Sequence, residues 1–279
     1  MKNRECLSKV LDTCITYIVL IAVAAIFFFP CLWLIMAAFS ASGSIYSFDG
    51  FFPSSFSLDT FKKLFTDTDL YNYPKWFVNT LCIAAGSCGL GTFFTILTAY
   101  TMSRFTFKMR KTMMKITMVL GMFPSFMSMT AVYLLMTQFG LINQRWGVIL
   151  IYAAGAPMGY LTQKGFFDTI PKAIDEAAKI DGATNFQIFT KINLPLSKPI
   201  IVYTALTSFT WPWSDFILPK LLLKERDYYT VAVGLMSLDE TEFARFAAGS
   251  VFIAVPIVLL YFCLVKNMVS GISDGAVKG

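Results

Sequence analysis

The chain contains no histidine among its 279 residues. Histidine-based zinc sites, Ser–His–Asp triads and haem ligation through histidine are therefore excluded. The six cysteines show no Cys-x-x-Cys spacing, and most of them lie in apolar stretches, where cysteine behaves as a small hydrophobic residue. The sequence predicts no metal site.

Charge is scarce as well. Charged residues make up 14% of the chain and hydrophobic residues 56%, whereas soluble domains carry roughly 25% charged residues. Six stretches, which together form about half of the chain, contain no Asp, Glu, Lys or Arg: residues 13–48, 76–103, 116–144, 146–163, 199–214 and 246–265. Since a membrane helix needs about 20 apolar residues to cross about 30 Å of hydrocarbon, the sequence predicts an all-α polytopic membrane protein with six transmembrane helices. A soluble enzyme is excluded.

The predicted spans follow these uncharged stretches, at residues 15–39, 78–103, 116–138, 146–163, 199–219 and 246–265. The first is too long for the apolar region of a signal peptide and is interpreted as a retained span. Cytoplasmic loops of membrane proteins are enriched in Lys and Arg. The two termini and the loops on their side hold 15 of the 23 Lys and Arg residues. Both termini are therefore expected in the cytoplasm, and the net charge of +6 reflects these loops rather than contact with nucleic acid.

Two long loops, at residues 40–77 and 220–245, fall on the opposite side. In the first, four apolar residues have helical spacing: Leu58, Phe61, Leu64 and Phe65. This pattern predicts either a short helix lying in the membrane interface or a plain loop with aromatic anchors.

The cytoplasmic connection at residues 164–198 is the most informative part of the sequence. Good helix formers follow Pro171 over residues 172–181, and Gly182 is expected to end that helix in a turn. Thr184 has the side chain of a helix cap and predicts the start of a second helix.

This second helix is expected to run through Thr190, with Pro195 and Pro199 stopping it before the fifth span. Its apolar residues would form an exposed stripe, which is typical of a docking surface; they are Phe186, Phe189 and Ile192.

One run of residues in this loop resembles the EAA loop of ABC importer permeases. The positions that match at the family's spacing are Glu176, Ala177, Ala178, Gly182, Ile192, Leu194 and Pro195. Flanking segments are similar to the carbohydrate branch of that family; they are residues 99–105, 165–171 and 177–183. The C-terminal residues 275–279 resemble the second permease of maltose and maltodextrin-type systems.

The resemblance implies a type I ABC importer permease fold, with residues 1–279 forming one transmembrane domain in the plasma or inner membrane of a bacterium or archaeon. It also implies three kinds of partner besides the lipid bilayer: a homologous second permease, two copies of a cytoplasmic ATPase and an extracytoplasmic sugar-binding protein. The chain has no GxxxxGK[ST] phosphate loop. ATP and magnesium are therefore expected on the ATPase, with no cofactor and no catalytic residue in this chain. A maltodextrin is the favoured cargo, and another oligosaccharide or sugar derivative is the alternative.

Residue roles follow from the same resemblance. Glu176 would be the charged contact to the ATPase, Ala177 and Ala178 would permit close approach, and Gly182 would set the turn after Asp181. The cytoplasmic tail at 266–279 is expected to reach between the ATPase subunits through its last residues, which are Gly275, Ala276, Val277, Lys278 and Gly279.

Three residues near the end of the fifth span are candidates for contact with the sugar. Trp211 and Trp213 offer aromatic faces to sugar rings, and the Asp215 carboxylate can accept hydrogen bonds from hydroxyl groups. An ionisable residue at membrane depth indicates function. The alternative is that Asp215 is solvated near the outer boundary and that the tryptophans belong to the aromatic belt.

Two other classes of protein remain as rivals, an ion-coupled secondary carrier and an intramembrane enzyme. Ion-coupled carriers bury several ionisable groups as a relay, whereas Asp215 is the single candidate here, and no inverted repeat relates the two halves of the chain. An intramembrane enzyme has few candidate groups without histidine or paired acids in the spans.

Overall fold

A computed structural model describes residues 2–40, 53, 55–69, 71–155 and 159–276, with side chains for all of these except 2–10, 125 and 266–276. The described residues are mostly helical and contain no β-strand, apart from one isolated antiparallel bridge between Ser40 and Phe56. The prediction of an all-α chain is confirmed.

Three helices in the described part are long and apolar enough to cross a membrane. They are α1 (Lys2–Ala38), α3 (Tyr73–Arg104) and α14 (Phe243–Ala276). Their apolar segments coincide with the first, second and sixth predicted spans.

The third predicted span is a broken helix. Helix α4 (Arg110–Gly121) is followed by a 3₁₀ turn at Ser125–Ser128 and by α5 (Met129–Gln138). The two arms are bent by 92°. Pro124 lies at the break, where its missing amide hydrogen interrupts α-helical hydrogen bonding.

The fourth and fifth predicted spans are each divided between two helices. The fourth comprises α6 (Arg145–Gly155) and α7 (Tyr160–Thr169), and residues 156–158 between them lie outside the described residues. The fifth comprises α11 (Lys198–Ser214), of 17 residues, and α12 (Ile217–Leu222). The count of six spans and the side on which the termini lie stay predictions.

Shorter helical segments form the connections. They are α2 (Asp59–Thr66), α8 (Lys172–Ile180), α9 (Asn185–Ile188), a π-helical turn (Phe189–Asn193), α10 (Leu194–Leu196), α13 (Val231–Leu235) and 3₁₀ turns at Arg226–Tyr228 and Glu240–Glu242.

The chain divides into two compact units, the first formed by Met1–Tyr71 and Ser237–Phe252. In this unit Phe61 and Phe65 of α2 pack edge-on against Phe252, with ring centroids 5.9 and 5.1 Å apart. Of the two alternatives for this loop, the short helix is the one observed, and part of its apolar face is used inside the unit. Its position in the membrane interface stays a prediction.

The second unit is formed by Asn72–Met236 and Ile253–Gly279. Helix α3 is its centre and packs against α6, α7 and α11. Gly86 allows one close approach, since a β-carbon there would lie 2.9 Å from the Ile149 side chain. The C-terminal part of α3 contributes to a core whose buried members are Ile96, Ala99, Tyr100, Met102, Tyr160, Phe167 and Ile170. This arrangement places the C-terminal end of α3 beside the connection at residues 164–198.

Candidate coupling loop and helix-lined cavity

The first helix of the connection ends as the sequence predicts. Gly182 has φ +84°, which is the left-handed region that favours glycine. Its N–H donates to the Lys179 carbonyl at 3.0 Å, and the Ala183 N–H donates to the Ala178 carbonyl at 2.9 Å. This pair of bonds is a Schellman motif and satisfies the last carbonyls of α8.

The start of the second helix is also confirmed. The Gln187 N–H donates to the Thr184 hydroxyl at 3.3 Å, and the Thr184 N–H donates to Gln187 Oε1 at 2.8 Å. This reciprocal arrangement is a capping box.

The predicted end of that helix is wrong. Helical winding continues beyond Thr190 through the π-helical turn and α10, and ends at Leu196. Pro195 lies within this continuous winding, directly after the π-helical turn, and does not stop it.

The predicted apolar stripe is correct only at Phe186. That side chain is 74% exposed, and Ile180 at the end of α8 is 87% exposed. Phe189 and Ile192 are half-buried, and the Phe189 ring lies 4.5 Å from the Tyr100 ring on α3. Residues three apart on an α-helix differ by about 60° in direction, so Phe189 already turns toward the core, and the π-helical turn from Phe189 to Asn193 changes the direction of Ile192 further. The most exposed large apolar side chains of the connection are therefore Ile180 and Phe186.

The residues predicted to couple to the ATPase, which are the EAA matches and Asp181, fall into two groups. The exposed ones are Glu176, Ala177, Asp181, Gly182 and Pro195, and the half-buried ones are Ala178, Ile192 and Leu194. Among the described residues, the Glu176 carboxylate has no ion-pair or hydrogen-bonding partner. Its charge faces outward on a surface that also carries exposed apolar side chains.

A buried polar cluster beside this surface was not predicted from the sequence. Arg104, the last residue of α3, places Nε 3.1 Å from Asp175 Oδ2 on α8. Its Nη2 donates to Asn193 Oδ1 at 3.2 Å and to the Ile170 carbonyl at 3.0 Å. Asn193 Nδ2 completes the cluster by donating to Asp175 Oδ1 at 2.8 Å. No local pattern reveals these contacts, because 66 to 89 residues separate Arg104 from Ile170 and Asn193.

A second carboxylate contacts the same end of α3. Asp168 Oδ1 accepts a hydrogen bond from the Ser103 hydroxyl at 2.6 Å, and Oδ2 pairs with Lys164. Burial by itself raises the pKa of the Asp168 carboxyl. The hydrogen bonds from Lys164 and Ser103, together with the positive charges of Lys164 and Arg110, outweigh it and hold this pKa below its usual value. Asp168 is therefore ionised at neutral pH.

A cavity of about 670 Å³ lies in the second unit. Its polar lining comes from Ser87 on α3, Ser128 before α5, Tyr152 on α6, Thr207 and Ser208 on α11, and Asp215 after α11. Trp211 adds an aromatic surface and is 62% exposed. Hydroxyl groups beside an exposed indole can bind a polyhydroxylated ligand.

The structure brings two of the three candidate sugar contacts together. Trp211 and Asp215 both line the cavity. Asp215 Oδ2 accepts a hydrogen bond from the Tyr152 hydroxyl at 2.8 Å, while Oδ1 accepts from the Ile217 N–H at 3.0 Å at the start of α12. Part of the carboxylate's role is therefore structural.

Trp213 is not part of the cavity. It is fully buried and packs against Phe77 and Phe209, with ring centroids 5.1 and 6.0 Å apart. Residues two apart on a helix point in nearly opposite directions, so Trp213 faces the core when Trp211 faces the cavity. Trp213 therefore does not offer its ring to this cavity, and contact of Trp211 with the sugar stays a prediction.

Only part of the predicted C-terminal contact lies within the described chain. Gly275 and Ala276 belong to the last turn of α14. Val277, Lys278 and Gly279 lie outside the described residues. The predicted contact of this tail with the ATPase stays a prediction.

The chain belongs to the family of binding-protein-dependent transport system inner membrane components, whose family profile matches residues 91–274. Among known proteins it is 37% identical to the maltodextrin transport system permease protein MalD of Streptococcus pneumoniae, with 100% of both chains covered. It is 38% identical to the maltodextrin transport system permease protein MdxG of Bacillus subtilis over 98% of both chains. These relatives are transport permeases, not enzymes.

A solved structure has the same fold. It is the crystal structure of a bacterial ABC transporter involved in the import of the acidic polysaccharide alginate, with a TM-score of 0.76, 19% identity, and coverage of 93% of this chain and 97% of that chain. The family profile and the two full-length relatives confirm the family membership suggested by the EAA residues.

Proposed function

We propose that this chain is a permease subunit of an ATP-driven oligosaccharide importer, with maltodextrins as the favoured cargo. The observation that carries the proposal is the full-length similarity to maltodextrin permeases. The galactooligosaccharides permease GanQ of Bacillus subtilis is 36% identical over 95% of both chains, so another neutral oligosaccharide is the alternative cargo.

The topology that fits this function has six spans and both termini in the cytoplasm. In it, the third span (residues 116–138) takes the apolar part of the bent pair α4 and α5, the fourth (146–163) takes α6 and the start of α7, and the fifth (199–219) takes α11 and the start of α12. The concentration of Lys and Arg at the termini and at residues 104–115 and 164–198 supports this orientation.

Coupling to a cytoplasmic ATPase is proposed for the surface of α8 and α9. The Glu176 carboxylate would meet a basic group of the ATPase, and Ile180 and Phe186 would enter an apolar part of its cleft. Ala177 would allow the ATPase to approach α8 closely. Asp181 and Gly182 would form the turn that keeps α8 and α9 in their relative orientation. The half-buried members of the pattern, which are Ala178, Ile192 and Leu194, would hold this surface in place together with Pro195.

The remaining partners belong to the same proposal. A homologous second permease would complete the translocation path, and an extracytoplasmic binding protein would deliver the sugar. Two ATPase copies would bind ATP and magnesium. The tail at 275–279 would add a further contact to them.

For the sugar itself, we propose contact with Trp211 and Asp215 in the cavity. The Trp211 indole would stack on a sugar ring, and the Asp215 carboxylate and neighbouring hydroxyls would bind its hydroxyl groups. No Lys or Arg belongs to the described cavity lining. An uncharged sugar therefore fits this lining better than an acidic one.

An ATP-dependence test decides between an importer and an ion-coupled carrier. The chain would be co-expressed with the sister permease and the ATPase of its own genome, purified, and reconstituted with the binding protein in proteoliposomes. We expect uptake of radiolabelled maltotriose that requires ATP. Uptake driven by a proton or sodium gradient without ATP would contradict the proposal.

A further inference from the structure

One side chain of helix α8 is buried in the interior of the protein. Asp175 is its buried side chain, whereas Ala178 is half-buried and the other seven residues of α8 are exposed. A helix that presents so little apolar surface to the interior is held mainly by its polar contacts.

Those contacts lie away from water. The Arg104 and Asp175 side chains are 5% and 11% exposed, and Asn193 is fully buried. The guanidinium places Nε beside Asp175, and its Nη2 donates to both Asn193 Oδ1 and the Ile170 carbonyl. Because water is excluded, the attraction between the two charges is stronger than in a surface pair. Removal of either partner would leave the other buried and unpaired.

The other end of this contact is a long, unbroken helix. Arg104 ends α3, which begins at Tyr73 and has its only proline in the first turn. Ser87 of the same helix lines the cavity. It precedes Arg104 by 17 residues, a distance of about 25 Å along an α-helix. A displacement applied to Arg104 therefore acts on a helix that forms part of the cavity wall.

We propose that the buried contact of Arg104 with Asp175 and Asn193 transmits movement of α8 to α3, and so changes the cavity when the ATPase moves α8. Arg104 and Asp175 are then positioning residues for transport. They bind neither ATP nor sugar. This inference rests on the proposed importer function, because it takes the ATPase to be the source of the movement.

The test measures coupling rather than stability. Asp175→Asn and Arg104→Gln, each in the complete reconstituted importer with its binding protein, remove one charge and keep a polar side chain. The readout is the ratio of ATP hydrolysed to maltotriose imported, per assembled complex. We expect each substitution to raise this ratio by about fivefold or more, which is the lower end of measured coupling between sites. If the two residues act as a unit, the double variant has no larger effect than the stronger single one.

A neighbouring carboxylate supplies the matched control. Asp168→Asn removes a charge that also contacts the end of α3, through Ser103, but that residue lies on α7. The ratio should stay at the wild-type value in this variant. A purely structural role of Arg104 and Asp175 would lower the amount of assembled complex and leave the ratio unchanged, which would overturn the inference, as would additive effects in the double variant.

If either neutral variant fails to assemble, Arg104→Lys decides the question. It keeps the positive charge and loses the forked contacts with Asn193 and Ile170, so the ratio should still rise; a wild-type ratio would overturn the inference. A wild-type complex without ATP-dependent uptake would refute the importer function itself. The two failures are thus distinguishable.

Discussion

Gly234 of α13 lies so close to the indole of Trp76 on α3 that a β-carbon at residue 234 would come within 2.0 Å of ring atom Cε3. The indole cannot easily move away, because its Nε1 donates a hydrogen bond to the Arg226 carbonyl at 2.9 Å. The ring is almost fully buried. This contact fixes the segment after α12 against the N-terminal half of α3.

We therefore expect Gly234→Ala to destabilise the protein. Forcing an extra methyl group into a packed core costs about 1–3 kcal/mol. Thermal unfolding of the detergent-solubilised protein should show a lower midpoint. Gly89→Ala is the matched control, since a β-carbon there meets nothing within 4 Å, and equal midpoints for both variants would contradict the packing argument.

At Gly182 the backbone conformation, rather than space, limits substitution. A β-carbon there meets nothing within 4 Å, but φ is +84°, which costs roughly 1–2 kcal/mol for an L-residue. Gly182→Val should reduce co-purification of the ATPase more than Gly182→Ala, because a β-branched side chain is more strongly disfavoured there. The same pair at Gly165, which lies in α7 with open space around it, should have little effect. Mild and equal effects at Gly182 would show that the turn is not needed for assembly.

Charge reversal at Glu176 separates coupling from folding. Glu176 is exposed, so Glu176→Lys should leave membrane insertion unchanged and should lower sugar uptake and ATPase co-purification. Lys63→Glu on α2 reverses an exposed charge elsewhere in the chain and should leave both at wild-type levels. Normal uptake in Glu176→Lys would exclude this residue as the contact.

The two tryptophans of α11 should respond to substitution in opposite ways. Trp213→Ala removes a fully buried ring and should cost about 3–5 kcal/mol of stability. Trp211→Ala removes a largely exposed ring and should leave the unfolding midpoint nearly unchanged while it weakens maltotriose uptake. Wild-type uptake by Trp211→Ala at low sugar concentration would remove this residue from the sugar path.

How far the sequence predicts the structure depends on whether a feature is local. Pro171, Gly182 and Thr184 act on their own backbone neighbours, so the two helices of the connection and the turn between them were predictable. The meeting of Arg104 with Asp175 was not, because it depends on how α3 and the connection pack. The choice between Trp211 and Trp213 likewise depends on which side of α11 faces the core, and periodicity cannot decide this in a helix that is apolar on all sides.

The π-helical turn also sets the number of residues that this part of the connection needs. In an uninterrupted α-helix, residues seven apart lie on the same side, so Phe186 and Asn193 would both be exposed or both be buried. Here Phe186 is 74% exposed and Asn193 is 0% exposed, because the wider turn takes up extra chain and rotates the residues after it. Deletion of a single residue, such as Lys191, would return the segment to regular winding and turn the Asn193 amide away from Asp175. The number of residues between Phe186 and Asn193 is therefore a geometric requirement, and insertions or deletions in this part of the chain should be tolerated far less than exchanges of side chain.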